Sequence, residues 1–366
     1  MKAIAIKPGR KNSVYLEEIE KPAVRPGELL IRVLETGICG TDLEIINGDY
    51  GTAPKGQEFL VLGHESFGRV EEVGSGLENS GWVKGDYAVC TVRRPCHEGD
   101  PNCDHGHSDM CLTGQYTERG IKDQHGFMTE YYTEQPEFAI KVPMLYRSWG
   151  VLLEPTAVVE KAIYQAYKIQ ERLEWEPKRA LVLGAGPIGL LATFLLRDRG
   201  LEVFTVAHSL GGPSNPKAVM TERVGATYLS SQEVEVEELG NRLGDIDLIV
   251  EASGSSEIVF KGMAALGPNG IMAITGVQNG HNALPIDTNR LNHQLVMGNQ
   301  VVFGSVNANR RYFEMGVESW GSLETKWPGA LAGLITRKLP LEDFQTALSR
   351  DRTSIKTVLQ IVPETA

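Results

Sequence analysis

The stretch RALVLGAGPIGLLATFLL, residues 179–196, constrains the chain more than any other. Gly184, Gly186 and Gly189 keep the G-x-G-x-x-G spacing, directly after a short apolar run and at the head of a longer one. A strand must there turn tightly into a helix. Gly184 allows the turn, Gly186 lets the backbone approach a pyrophosphate, and Gly189 lets helix lie against strand. Pro187 and Ile188 belong to the same cofactor turn. The phosphates of a dinucleotide would sit at the positive end of that helix. Further apolar runs follow at DLIVEASG, GIMAITGV and QVVFGSVN, with helical patterns between them. Strands alternating with helices give an α/β class and a doubly wound parallel sheet.

The second strand of this unit ends at TVAHSLGG. A carboxylate there would bind the adenosine ribose of NAD. Ala207, His208 and Ser209 stand in its place, so nothing repels a 2′-phosphate. The expectation is NADP with NAD tolerated, and with His208, Ser209 or Lys217 helping to hold the phosphate.

Residues 1–150 have a different texture. Short apolar or alternating runs such as ELLIRVLETGI and FGRVEEVGSG are broken by Gly, Pro and Asp, as in an irregular β-rich domain. From about 153 a helical period appears in LEPTAVVEKAIYQAYKIQERL. The net charge of -11, with no basic stripe, argues against nucleic acid. The N-terminal apolar run is too short for a signal peptide, and no stretch suits a membrane span. A cytoplasmic location is the resulting expectation.

Four of the five cysteines fall between positions 90 and 111. In a reducing compartment, cysteines clustered with His and Asp suggest a metal rather than disulfides. Two separate stretches, TGICGTD (36–42) and LGHESFG (62–68), each put a ligand-capable residue, Cys39 and His64, at a glycine-rich strand end. The chain meets G-H-E-x-x-G-x5-G from Gly63 to Gly74, C-G-T-D at 39–42, and the glycine fingerprint downstream. With these motifs it resembles the zinc-dependent medium-chain dehydrogenases over nearly its whole length.

That resemblance implies a β-rich GroES-like catalytic domain, 1–165 with 306–366, and a Rossmann dinucleotide-binding domain, 166–305. It implies a catalytic zinc held by Cys39, His64 and Glu154, with Glu65 as a labile fourth ligand. Asp42 would orient the His64 ring, and the Thr41 hydroxyl would begin a proton relay. Three ligands and one open position suit a zinc that activates a hydroxyl. Relatives also carry a lobe with four cysteines around a structural zinc. Here Cys96, Cys103 and Cys111 keep three of those places, and Asp100 is the direct candidate for the fourth, with His97 its rival. Cys90, ending the apolar YAVC, reads as core.

Within the family, MKAIAIKPG, FLVLGHE, VRRPC, RGIKDQHGFMTEYY and GSVNANRRYF resemble the archaeal type of glucose dehydrogenase. The resemblance implies oxidation of the C1 hydroxyl of D-glucose, with galactose or another aldose as alternatives. Glu118, Glu154, Asn307 and Thr41 would contact the sugar, and Thr91 would face the pocket. A polyol or alcohol dehydrogenase is the nearest rival reading, and a catalytically silent dinucleotide-binding protein a distant one. Family members are homodimers or homotetramers, and the apolar run NQVVFGSVN is compatible with a shared edge strand.

Overall fold

The computed structural model of this chain describes residues 1–96, 99–277, 283–349, 351 and 353–362. They form two compact units, one of 1–157, 307–317 and 335–366, the other of 158–306 and 318–334.

In the first unit the strand Leu29–Gly37 organises the main sheet. Along one side it pairs antiparallel with Glu65–Val73. On the other, Tyr131–Glu134 takes Leu29–Arg32, and Lys356–Gln360 takes Glu35–Gly37. The last of these brings the far end of the sequence to the strand leading into Cys39. Alternate residues Leu29, Ile31 and Val33 enter the core with Ile4, Leu60, Phe127 and Leu359. Each such side chain, fully buried, contributes about 1.5–3 kcal/mol.

The second unit is a six-stranded parallel sheet. Its order is Thr227–Ser230, Glu202–Ala207, Arg179–Leu183, Ile246–Glu251, Leu266–Ile274 and Val301–Gly304. This is the 3-2-1-4-5-6 order of a Rossmann fold, in which the fingerprint strand is central. Leu181, Leu183, Val206, Ile249 and Met272 form one of its cores. Among the described residues no helix is long and apolar enough to cross a membrane.

The compact units differ from the expected domain limits in two places. One boundary falls at 157/158, inside the helix Leu153–Gln170, rather than at 165. A helix reads from sequence as one block, although its contacts change along its length. The segment 318–334 also groups with the Rossmann unit, not with the catalytic unit. Here Ser322 Oγ donates to Asp198 Oδ1 at 2.5 Å and Lys326 Nζ to the Asp198 carbonyl at 2.8 Å, at the end of the fingerprint helix. Both residues lie on a helix, Arg310–Lys326, that sequence reading passed over because Gly316 and Gly321 interrupt it. Its buried Tyr312, Phe313, Trp320 and Leu323 keep helical spacing.

Candidate functional site

Strand register assembles the first cluster. Gly37 is opposite Glu65 on one side and Val358 on the other, so Cys39, His64 and Lys356 all arrive at one strand end. Cys39 caps the helix Gly40–Ile46. Asp42, three residues on, accepts the Cys39 backbone N–H at 2.9 Å through Oδ2. Its Oδ1 lies 3.5 Å from His64 Nδ1, close enough to orient the ring electrostatically. One carboxylate therefore engages both Cys39 and His64.

The ligand atoms of Cys39, His64 and Glu65 all lie within 4.8 Å of one another. One thiol, one imidazole and one carboxylate in that space suit a zinc ion, whose ligand bonds are about 2.0–2.3 Å. Glu154, the expected third ligand, is not in this group of three. It is buried in the first turn of its helix, near enough for the charges of His64, Glu65 and Lys356 to act on it. Burial, opposed by His64 and reinforced by Glu65, raises the Glu154 carboxyl to about 7. Such a carboxyl lacks sufficient positive charge around it, which a divalent cation would supply.

Lys356 was not anticipated from sequence. It is buried, donates to the Ile38 carbonyl at 2.9 Å, and forms an ion pair with Glu65. The pair crosses directly over Gly37: a Cβ there would fall 2.0 Å from Glu65 Oε2 and 2.8 Å from Lys356 Cε. Burial alone would lower the Lys356 ammonium, but the Glu65 carboxylate and the Cys39 thiol raise it. His64 behaves likewise. Burial lowers it, and Asp42 and Cys39 outweigh burial. The Thr41 hydroxyl lies 3.9 Å from Cys39 Sγ, beside the cluster.

The lobe is a second, separate cluster. Cys96, Asp100, Cys103 and Cys111 bring their ligand atoms within 4.8 Å of one another. Cys96 and Cys111 sulfurs are 3.8 Å apart. A tetrahedral zinc with 2.3 Å bonds spaces two thiolates by about 3.8 Å, so the donors fit that ion. Asp100 caps the short helix Pro101–Asp104, where Oδ1 accepts the Asn102 and Cys103 N–H groups at 2.9 and 3.3 Å. Oδ2 takes those of Leu112 and Thr113 at 2.5 and 3.2 Å. Burial would raise this carboxyl, but those N–H groups and the Cys111 thiol hold it at about 2. The rival ligand His97 lies outside the described residues. Cys90 is core, with Tyr132 OH donating to its sulfur at 3.3 Å.

Two of the residues expected to meet a sugar, Glu118 and Asn307, meet each other. Asn307 Nδ2 donates to Glu118 Oε1 at 2.9 Å, and Arg93 Nε donates to the same oxygen at 3.0 Å. Asn307 sits at φ +60°, a left-handed conformation that asparagine tolerates better than most residues. Arg93, in VRRPC, also stacks on the Tyr116 ring at 3.6 Å and escaped sequence reading. Only a buried charge opening a lobe could have pointed to it. Thr91 is buried, and its hydroxyl accepts from Arg94 NH1 at 3.1 Å, which engages it on the protein side.

In the second unit the fingerprint turn is built as its spacing requires. Gly184 has φ +108°, with the Ser253 backbone N 2.8 Å from a would-be Cβ. At Gly189 a Cβ would collide with the Gly184 carbonyl at 1.8 Å. A Cβ on Gly186 would meet nothing within 4 Å, so space is left at the head of the helix Pro187–Asp198, whose Gly186 cap has no side chain to bond its N–H groups. That is a fit for a pyrophosphate. His208 and Ser209 follow the second strand, where Ser209 Oγ is 2.8 Å from Tyr228 OH and accepts from Asn215 at 3.1 Å. Lys217 opens the next helix, its N–H bonded to Asn215 Oδ1 at 3.0 Å.

Residues 25–144 match the alcohol dehydrogenase GroES-like domain family, and residues 147–361 the family described as glucose dehydrogenase C-terminus. The glucose 1-dehydrogenase of Methanocella arvoryzae is 45% identical over 361 residues, covering 99% of both chains. Glucose 1-dehydrogenase 2 of Vulcanisaeta moutnovskia is 39% identical over 99% of both. Among solved structures, Haloferax mediterranei glucose dehydrogenase in complex with NADP, Zn and gluconolactone superposes with a TM-score of 0.90 at 33% identity. It covers 99% of this chain and 100% of that one.

Proposed function

The chain belongs to the zinc-dependent medium-chain dehydrogenases of the glucose dehydrogenase type, and from that premise we propose that it oxidises the C1 hydroxyl of D-glucose to the lactone. The observation that carries the reading is the convergence of Cys39, His64 and Glu65, ringed by Asp42, Glu154 and Lys356.

Zinc, when bound, makes the hydroxyl more acidic, and NADP, with NAD tolerated, accepts the hydride. Cys39 and His64 would hold the ion, with Glu154 or Glu65 as the carboxylate. The Lys356 ion pair favours Glu154 in that place, because it already engages Glu65. Asp42 fixes the imidazole. Thr41 is suited to receive the hydroxyl proton and pass it toward solvent. Glu118 and Asn307 pair with the remaining sugar hydroxyls, each unmade buried bond costing about 1–3 kcal/mol. Gly184, Gly186, Pro187, Ile188 and Gly189 receive the pyrophosphate, with His208 and Ser209 at the adenosine end. Cys96, Asp100, Cys103 and Cys111 would hold a second ion, supplying all four of its ligands, so that it would contribute structure.

Five unpaired cysteines fit the reducing cytoplasm. The half-exposed edge strand Val301–Gly304 is suited to join two copies into a homodimer or homotetramer. Glucose, galactose and sorbitol, each assayed with NADP and with NAD, test the reading. Glucose-dependent NADP reduction with lactone release is expected. Reduction with sorbitol alone would replace the sugar reading by that of a polyol dehydrogenase.

A further inference from the structure

The lobe does more than gather four ligand-capable side chains. Asp109, between Cys103 and Cys111, is 3% exposed and joins two buried partners. Its backbone carbonyl accepts from Arg93 NH1 at 3.2 Å, and its Oδ1 accepts from Asn309 Nδ2 at 2.9 Å. Arg93 continues to Glu118, and Glu118 to Asn307. Two residues along the chain from Asn307, Asn309 closes the ring. Its Oδ1 accepts the Arg311 N–H at 3.1 Å, heading the helix Arg310–Lys326, and its Nδ2 also donates to His107 Nδ1 at 3.1 Å. Glu118, Arg93, Asp109 and Asn309 are each at most 6% exposed.

We infer that the lobe is a positioning element for the Glu118–Asn307 pair, acting through Asp109 and its two partners, Arg93 and Asn309. Asn307 holds a left-handed backbone conformation that a free segment would leave, and Asn309 anchors that segment to the lobe. Glu118 is held from the lobe side by Arg93. Buried polar rings of this kind hold geometry when every member is satisfied and lose it when one is removed. Asp109, Asn309 and His107 are thus positioning residues, none of which needs to touch the sugar. The inference rests on the reading above only in taking Glu118 and Asn307 as the pair that meets the sugar.

The test compares the metal-loaded enzyme with Asn309→Ala, His107→Ala and His107→Gln, using glucose kinetics and hydrogen exchange followed by mass spectrometry. His107 is exposed, so its truncation leaves the fold intact should Asn309→Ala fail to fold. Faster exchange is expected in peptides covering 303–310 and 116–120, but not in the fingerprint stretch 179–198. The glucose KM should rise about tenfold in Asn309→Ala, the size of one lost hydrogen bond, with kcat and the NADP KM within about twofold. His107→Ala should show a smaller effect that His107→Gln, which keeps an acceptor, reverses. Unchanged exchange in both segments overturns the inference, whatever KM does. Faster exchange at an unchanged glucose KM overturns it too, since the sugar would not sense the pair. Should the parent enzyme oxidise no sugar, the functional reading falls, and exchange alone decides whether the lobe positions the pair.

Discussion

The two clusters in the first unit each contain a buried acid, and the acids are treated in opposite ways. Asp100, in the lobe, accepts four backbone N–H groups, which hold its carboxyl at about 2. Glu154, beside Cys39 and His64, is raised to about 7 because burial is only partly offset by His64 and Lys356. The lobe's acid is therefore satisfied by backbone N–H groups, and its four ligand-capable residues would close around an ion. The other cluster keeps an uncompensated carboxyl beside Cys39 and His64, while Lys356 already engages Glu65. It invites a cation, and three protein ligands would leave that cation a position for a substrate oxygen. On the proposed assignment, a structural and a catalytic metal centre would differ in how complete the protein is without the ion.

The broadest test of the contrast is to remove one thiolate from each. Cys39→Ala should take glucose turnover to background while NADPH binding, followed by fluorescence titration, stays as in the parent. Cys111→Ser should lose one zinc equivalent per chain and melt at lower temperature, with turnover reduced but persisting and a raised glucose KM. Equal loss of turnover in both would erase the distinction. Next in size is Lys356→Met. It leaves Glu65 buried without its cation, so denaturant unfolding should show a loss of about 3–5 kcal/mol. No comparable loss is expected at Lys338, whose pairing with Glu35 at 2.6 Å is partly exposed. Asp42→Asn, which weakens the pull on His64, should lower zinc affinity at that centre by about 10–100-fold. Zinc competition with a chromophoric chelator measures this, and lobe occupancy should be unaffected.

Features confined to one short stretch were readable in advance. Gly184, Gly186 and Gly189 announce strand, turn and helix because all three constraints act within six residues. Cys39 and His64 stand in motifs whose glycines the backbone needs: Gly63 has φ +91°, and a Cβ on it would meet Met128. Features that depend on strand pairing were not readable. Lys356 reaches Glu65 only because the final strand lies antiparallel against Glu35–Gly37, more than 300 residues away in sequence. A hint was present: a lysine opens the largely apolar run KTVLQIV, and a buried ammonium needs a carboxylate. Arg93, Asp109 and Asn309 escaped for the same reason, each being unremarkable until three segments meet. Glu118 and Asn307 were legible only by resemblance, and their hydrogen bond to each other was not legible at all.

The last expected effect concerns pH, and it separates the two acids most directly. Between pH 4.5, the ordinary value for a glutamate, and about 7, folded metal-free protein retains a proton on Glu154 that the unfolded chain has released. Its stability should therefore fall as pH rises through that window, and level off above it. Asp100 works in the opposite sense. Between its ordinary 3.8 and about 2, the unfolded chain keeps a proton that the folded protein has shed. The stability it contributes is complete above about pH 4 and is lost as pH falls toward 2. Urea unfolding of chelator-treated protein at pH 5 and pH 8 reads the first slope, and Glu154→Gln should flatten it. Zinc should also flatten it, because a cation beside the carboxylate stabilises the charged form that burial disfavours. A slope that survives Glu154→Gln would assign it to another group, and the two centres would then no longer differ in the way their acids imply.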